Sequence, residues 1–384
     1  MRILVVSNYA LPHIGGIEIL VDQELRALSA AGHEVVLVTS DAAAPVQPQE
    51  SPAGARIVRV GAWHGPERWQ VHCPVFFPKL IPVLWAEASR CDVIHVHGFV
   101  SLSSAAALVI GILRGRQCIL SEHAGVYYSR SKLARAIAWI ATHTVGRLIA
   151  RGASRIICYS PAVRSFLARL GGSDGKVQLL FKPIDTSLFK PPSETERRAA
   201  KAALRWDPTR PTVLFVGRLH PDKGTDLLLA AANPGAYNIV FCGPGDASLL
   251  GPLPRPGVDY LPARPAEQMP ALYRAADVLV LPTLREGGLP LVALEALSCG
   301  LPVVLNSYPG SEFYQSLHGL WFSDPAPAAL RDAIDQALSH GRVANATESL
   351  PMTTDFARWV RDIYGTRDEQ RLTAANSETP HPPG

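Results

Sequence analysis

Glu286 and Glu295 bracket a turn containing Gly287, Gly288 and Pro290, and the second acid sits in an apolar run with the pattern of a helix. Backbone N–H groups at such a helix start favour an anion, and the two carboxylates can accept hydrogen bonds from hydroxyls. Upstream, Val216-Gly217-Arg218-Leu219-His220-Pro221-Asp222-Lys223-Gly224 closes one apolar run and opens another, with two cations five positions apart. A guanidinium fork and an ammonium aimed at one diphosphate would neutralise the charge that grows as it departs. A diphosphate joined to a hydroxyl-rich sugar answers both segments. Each segment alone has an ordinary alternative, an acid before a helix and a pair of solvated loop cations.

Other residues add to this chemistry. Gly15 and Gly16 stand between a strand-like run and a helical one, and Gly243 and Gly245 follow another strand-like run, so backbone can approach a phosphate closely at both places. The first pair is not G-x-G-x-x-G, which disfavours a dinucleotide fingerprint. His123 ends an apolar run, where it is either a packed histidine or one facing a ligand. His95 and His97, at i and i+2, share one face of a strand and could imitate a metal pair, but the sequence offers no evident third ligand; His97 is read as an acceptor-side or structural residue. No Asp-x-Asp occurs anywhere, so the carboxylates that would hold a diphosphate through a divalent metal are missing and no metal is expected.

These residues need a scaffold, and the chain is long enough for two. At 384 residues it exceeds the size of a single growing core, and 47% hydrophobic residues can fill two. A formal charge of +4 suits an anionic substrate or membrane surface and is too weak to point to nucleic acid. The six cysteines lack C-x-x-C spacing and read as small hydrophobes of a reducing compartment. The apolar start turns polar at Ser7-Asn8, too soon for a signal-peptide core, and no run is long enough to span a bilayer, so a cytoplasmic protein is expected.

Short β-branched runs alternate with helical segments, the pattern of βαβ units around parallel sheets. Strands are expected at Arg2–Ser7, Glu34–Thr39, Arg56–Val60, Val93–His97, Gln117–Ser121 and Arg155–Tyr159. After a Pro-bearing stretch from Lys182 to Pro192 they resume at Thr212–Val216, Asn238–Cys242, Asp277–Leu281 and Pro302–Leu305. Helices are expected at Ile17–Ala31, from Glu194, at Thr225–Ala232 and at Leu291–Cys299. The expected layout is two Rossmann-like domains, 1–185 and 186–350, then a helix over 351–365 and a disordered polar tail, 366–384.

The stretch REGGLPLVALEALSCGLPVV, Arg285 to Val304, resembles the signature of retaining glycosyltransferases of family 4, whose members have the GT-B fold. Gly217–Gly224 is similar to the donor-site Gly-Arg…Lys-Gly motif of that family, Gly15-Gly16 to its glycine loop, Gly243-Pro244-Gly245 to its Gly-x-Gly, and Glu122-His123-Ala124 to its Glu-His-Gly. One feature departs from the pattern. The family motif is Glu-x7-Glu, whereas eight residues separate Glu286 from Glu295 and Gly287 holds the expected slot, as a turn longer by one residue would give.

The resemblance implies two doubly wound domains facing across a cleft and metal-independent transfer of a sugar, with retention, from a nucleotide-diphosphate donor to an acceptor hydroxyl. It implies roles for Arg218 and Lys223 at the leaving diphosphate and for Glu295 at the ribose. Glu286 and the backbone of Gly287, Gly288, Leu291 and Val292 would hold sugar and phosphates, His123 would position the sugar, and the 351–365 helix would cross back to the first domain. A sugar-nucleotide epimerase and a catalytically silent nucleotide-sugar-binding subunit are the alternatives. Pro74–Trp85 is apolar and aromatic, while Lys132–Arg151 interleaves cations with Leu, Ile and Trp139. These are either core helices or an interfacial surface reaching a glycan or lipid-linked glycan acceptor.

Overall fold

A computed structural model of the chain describes residues 1–42, 49–50, 54–65, 73–99, 101–123, 132–172, 175–253, 255–283, 288–343 and 356–365. The chain divides into two compact units, Met1–Pro183 with Asp355–Gly384, and Ile184–Thr354.

The sheet of the first unit contains β1 (Arg2–Val6), β2 (Glu34–Ser40), β3 (Gln49–Glu50) and β4 (Arg56–Val60). A two-stranded ribbon, β5 (Ala62–Trp63) with β6 (Val75–Phe76), stands apart; the sheet resumes with β7 (Val93–His97), β8 (Gln117–Glu122), β9 (Arg155–Cys158) and β10 (Val177–Leu179). The order is β10-β9-β8-β7-β1-β2-β4-β3, parallel except for β3. Parallel strands covered on both faces read as continuous apolar runs. Side chains of β1 accordingly alternate between two cores, Leu4 and Val6 in one, Ile3 and Val5 in the other.

The second core is closed by α1 (Gly16–Ala30) and the C-terminal helix Phe356–Tyr364, whose Trp359, Val360, Ile363 and Tyr364 are buried in it. Helix α1 buries Leu20, Val21, Glu24, Leu25 and Leu28, one stripe at helical spacing with an acid in its middle. The other face is covered by α2 (Leu80–Ala88), α3 (Leu102–Leu113), α5 (Arg147–Gly152) and α6 (Pro161–Arg169), and α4 (Lys132–Ala141) precedes α5 through a π-helical turn, Thr142–Gly146.

The second unit starts with α7 (Glu194–Ala203), capped by Ser193 and Glu196 in a reciprocal box. Its sheet comprises β11 (Thr212–Val216), β12 (Asn238–Cys242), β13 (Val258–Leu261), β14 (Val278–Leu281), β15 (Val303–Asn306) and β16 (Leu320–Ser323). The order β13-β12-β11-β14-β15-β16 is parallel throughout. Helices α8 (Thr225–Ala230), α9 (Met269–Ala275), α10 (Leu291–Ser298) and α11 (Pro327–His340) complete it. In both sheets the chain reverses its direction of growth beside the first strand, between β1 and β7 and between β11 and β14. Ligands of such sheets bind outside the carboxyl ends of the strands at these points. Five of the six cysteines are buried, and all six are free thiols.

Candidate active site

In the second unit, the loop leaving β11 carries Gly217, Arg218 and Lys223, and the segment leaving the neighbouring β14 carries Pro282 and Thr283. The two are packed backbone to backbone. A side chain on Gly224 would put its Cβ 2.1 Å from the Pro282 carbonyl oxygen, and Gly224 holds a left-handed φ of +72°, so only glycine fits. Thr283 Oγ1 donates to the Asp222 carbonyl at 3.4 Å, and the Asn306 amide donates to the Pro282 carbonyl at 2.8 Å. The loop is tied internally as well: Lys223 N–H reaches the His220 carbonyl, and His220 Nδ1 accepts from Asp222 N–H. Arg218 and Lys223 are half-buried on this braced turn.

Gly243 touches the same loop. Its Cβ would lie 2.0 Å from the Gly217 carbonyl oxygen, and Leu219 N–H donates to Pro244 at 2.8 Å. Gly217, Arg218, Lys223 and Gly243 are therefore one assembly at the carboxyl ends of β11 and β12.

Gly288, Leu291 and Val292 lie at the entry to α10, whose N-cap is Pro290 without any capping side chain. Glu286 and Gly287 lie outside the described residues. Glu295 sits one turn into α10, buried, with Oε2 accepting the Tyr273 hydroxyl at 2.7 Å. Burial lifts this carboxyl to about 7 although the Tyr273 hydrogen bond pulls the other way. Sequence reasoning missed Tyr273; its position in an unremarkable helix gave no signal.

In the first unit, Gly15 and Gly16 open α1, but the backbone there is covered. The Glu18 carboxylate folds back so closely that a Cβ on Gly15 would meet its Oε2 at 2.2 Å. Glu18 also contacts His13 at 3.4 Å, and His13 stacks on Tyr9. The helix start thus carries its own anion.

His97 ends β7 and His123 directly follows β8, the next strand in the sheet. Both rings are buried and nearly parallel, with His97 Nδ1 3.2 Å from His123 Nε2, and Tyr159 stacks on His123 at 4.9 Å between centroids. Burial first, then the charges of His97 and Lys182, push the His123 imidazole well below its usual pKa.

The reading of His95 and His97 as a pair without a third group needs correction. Glu24 from α1 lies between them, 2.7 Å from His95 Nδ1 and 2.9 Å from His97 Nε2, with all three side chains buried. The Tyr364 hydroxyl joins them, 2.5 Å from His95 Nδ1. Tetrahedral ligands about 2.0–2.1 Å from zinc would stand roughly 3.3 Å apart. The closer contacts around His95 Nδ1 are those of hydrogen bonds. The acid in the apolar stripe of α1 was the visible signal for this cluster.

Two parallel α/β units, each with polar residues gathered at its own switch point, define the protein's class as a GT-B glycosyltransferase fold. Residues 14–188 match the family described as Glycosyltransferase Family 4, and residues 210–340 match Glycosyl transferases group 1; the chain belongs to this family. A D-inositol 3-phosphate glycosyltransferase of Mycolicibacterium smegmatis is 29% identical over 392 residues, covering 96% of the chain and 82% of the relative. One from Mycolicibacterium gilvum is 31% identical over 209 residues, but these span 50% of the chain and only 42% of that relative. Among solved structures, sucrose-phosphate synthase from Thermosynechococcus elongatus superposes with a TM-score of 0.69 at 22% identity, covering 98% of both chains. Anabaena HepE in complex with UDP and glucose does so at 0.66 and 17%, covering 98% of this chain and 99% of its own.

Proposed function

We propose that the chain moves a sugar from a nucleotide-diphosphate donor to an acceptor hydroxyl, with retention of anomeric configuration and without a metal. The observation that carries the diphosphate donor is the braced loop of Gly217–Gly224, which sets two cations at the switch point of the second sheet, while retention rests on the family resemblance alone. Arg218 and Lys223 take the diphosphate charge as the sugar–phosphate bond breaks. Gly217 and Gly243 let backbone approach the ligand, and on the acceptor-side unit Gly15 and Gly16 do so once the Glu18 carboxylate is displaced from the helix start. The uncapped N–H groups at the start of α10, with Gly287, Gly288, Leu291 and Val292, receive donor oxygens, Glu286 binds the sugar and Glu295 the ribose. His123 positions the sugar, and His97 stands on the acceptor side.

The relatives named as glycosyltransferases and the HepE complex with UDP support a nucleotide-sugar donor. Cationic side chains in place of Asp-x-Asp support metal independence. Exposed Phe77, Ile81, Trp85, Leu113, Trp139, Ile140 and Leu148 support peripheral membrane contact and a lipid-linked glycan acceptor.

A panel of nucleotide sugars read by thermal shift tests donor binding, since a ligand of the folded state raises stability by mass action. With the donor found, Arg218→Ala and Lys223→Ala should each lower kcat on the order of 10²-fold, and excess EDTA should leave turnover unchanged. Both variants within twofold of wild type, or activity lost to EDTA and restored by magnesium or manganese, would refute the assignment.

A further inference from the structure

Glu24 is buried on the apolar face of α1 and has no part in the transfer described above. Its Oε1 accepts from His95 Nδ1 and from the Tyr364 hydroxyl, and its Oε2 lies against His97 Nε2. His95 Nε2 meets Ser121 Oγ at 2.8 Å, and His97 Nδ1 meets His123 Nε2. A continuous line of polar contacts therefore runs from the C-terminal helix through α1 to the ring beyond β8. Burial opposes ionisation of Glu24, but the charges and hydrogen bonds of His95 and His97 outweigh it and hold the carboxyl well below its ordinary range.

The protons can be placed from these contacts. A neutral imidazole has one donor and one acceptor nitrogen, and at pH 8 imidazoles are neutral unless strongly perturbed. His97 Nε2 and Glu24 Oε2 lie 2.9 Å apart without the alignment of a hydrogen bond, and neither atom has a hydrogen-bond partner among the described residues. A bare imidazole lone pair facing an anionic oxygen at that distance is repelled, so the His97 proton sits on Nε2 and Nδ1 is the acceptor. Two acceptors cannot share a 3.2 Å contact, so His123 must carry its proton on Nε2. Its Nδ1 is then bare.

We propose that Glu24 is a positioning residue: acting through His97, it fixes His123 as the Nε2-protonated tautomer, so that Nδ1 presents an acceptor to a hydroxyl of the bound sugar. The kinetic consequence rests on the reading that His123 lies at the transferred sugar; the tautomer does not. Tyr364 holds the carboxylate in register from the C-terminal helix, and Tyr159 stacks on the far side of the ring it orients. A carboxylate that sets the tautomer of a neighbouring imidazole is an established device of acid–base sites.

Two-bond proton–nitrogen correlation spectra of the full chain, labelled with ¹⁵N in its imidazoles and recorded at pH 8 without donor, read the tautomer directly. His123 should show a protonated Nε2 and a bare Nδ1, and folded Glu24→Gln should lose that single pattern. In the same variant kcat should fall on the order of 10²-fold with a smaller change in donor KM, as expected for a misplaced group. His123 protonated on Nδ1 in the wild type would overturn the relay, as would one equivalent of zinc in the purified chain. Wild-type spectra need no variant, so a Glu24→Gln chain that fails to fold leaves the test intact. The sugar-positioning role of His123 fails separately, in a His123→Ala variant with undiminished turnover.

Discussion

Glu295 couples the second unit to pH. Its carboxyl, ordinarily near 4.5, is raised to about 7 by burial beside Tyr273. The folded chain therefore binds this proton more tightly than the unfolded chain. The stabilisation is complete below 4.5 and is lost as pH rises through about 7. Glu295→Gln keeps an acceptor for Tyr273 without the charge, so the two proteins should melt together at pH 4. At pH 8 the variant should be more stable by on the order of 2 kcal/mol. A variant that melts below wild type at pH 8 would show that the carboxylate is stabilised by a partner. Legibility at this scale followed chain distance. The Gly217–Gly224 loop could be read because its residues are neighbours in sequence. The Glu24 cluster could not, because its partners His95 and Tyr364 lie 71 and 340 positions away.

The helices on the outer face of the first unit present apolar surface to solvent. Leu80 and Leu84 of α2 point into the core, while Ile81 and Trp85 on the same helix are about half exposed, and Arg114 covers the Trp85 ring at 4.1 Å. Leu113 of α3, Trp139 of α4 and Leu148 of α5 are exposed at 70%, 62% and 57%, and Arg135, Arg147 and Arg151 lie exposed along the same stretch. Core packing accounts for neither set, whereas an anionic bilayer surface attracts both, each nearby cation contributing about 1 kcal/mol. The chain should float with anionic liposomes at low salt and sediment with neutral ones; failure with anionic vesicles would favour an acceptor free in solution. Among the described residues no helix is long and apolar enough to cross a membrane. The inner strands were legible from their β-branched runs, and Arg56–Val60, Val93–His97, Thr212–Val216 and Asn238–Cys242 fall where the pattern places them. The strands that escaped the sequence reading in the two sheets, β3, β10, β13 and β16, all lie at sheet edges. An edge strand is short and partly solvated, so it carries no continuous apolar run.

At the scale of the molecule, one topology is used twice. Each unit gathers its polar residues where its sheet changes direction, His97 and His123 in the first, Arg218 and Lys223 in the second. The doubly wound class was legible because alternation of strand and helix is a property of the whole chain. Substrate identity is not of that kind, since it is set by loop residues whose partners are distant in sequence. The most direct test is to incubate the full chain with its nucleotide sugar, with and without acceptor, and follow anomeric protons by NMR. The expected result is acceptor-dependent transfer of the sugar with its anomeric configuration retained. Conversion of the donor to an epimer without acceptor, or inversion at the anomeric carbon, would contradict it.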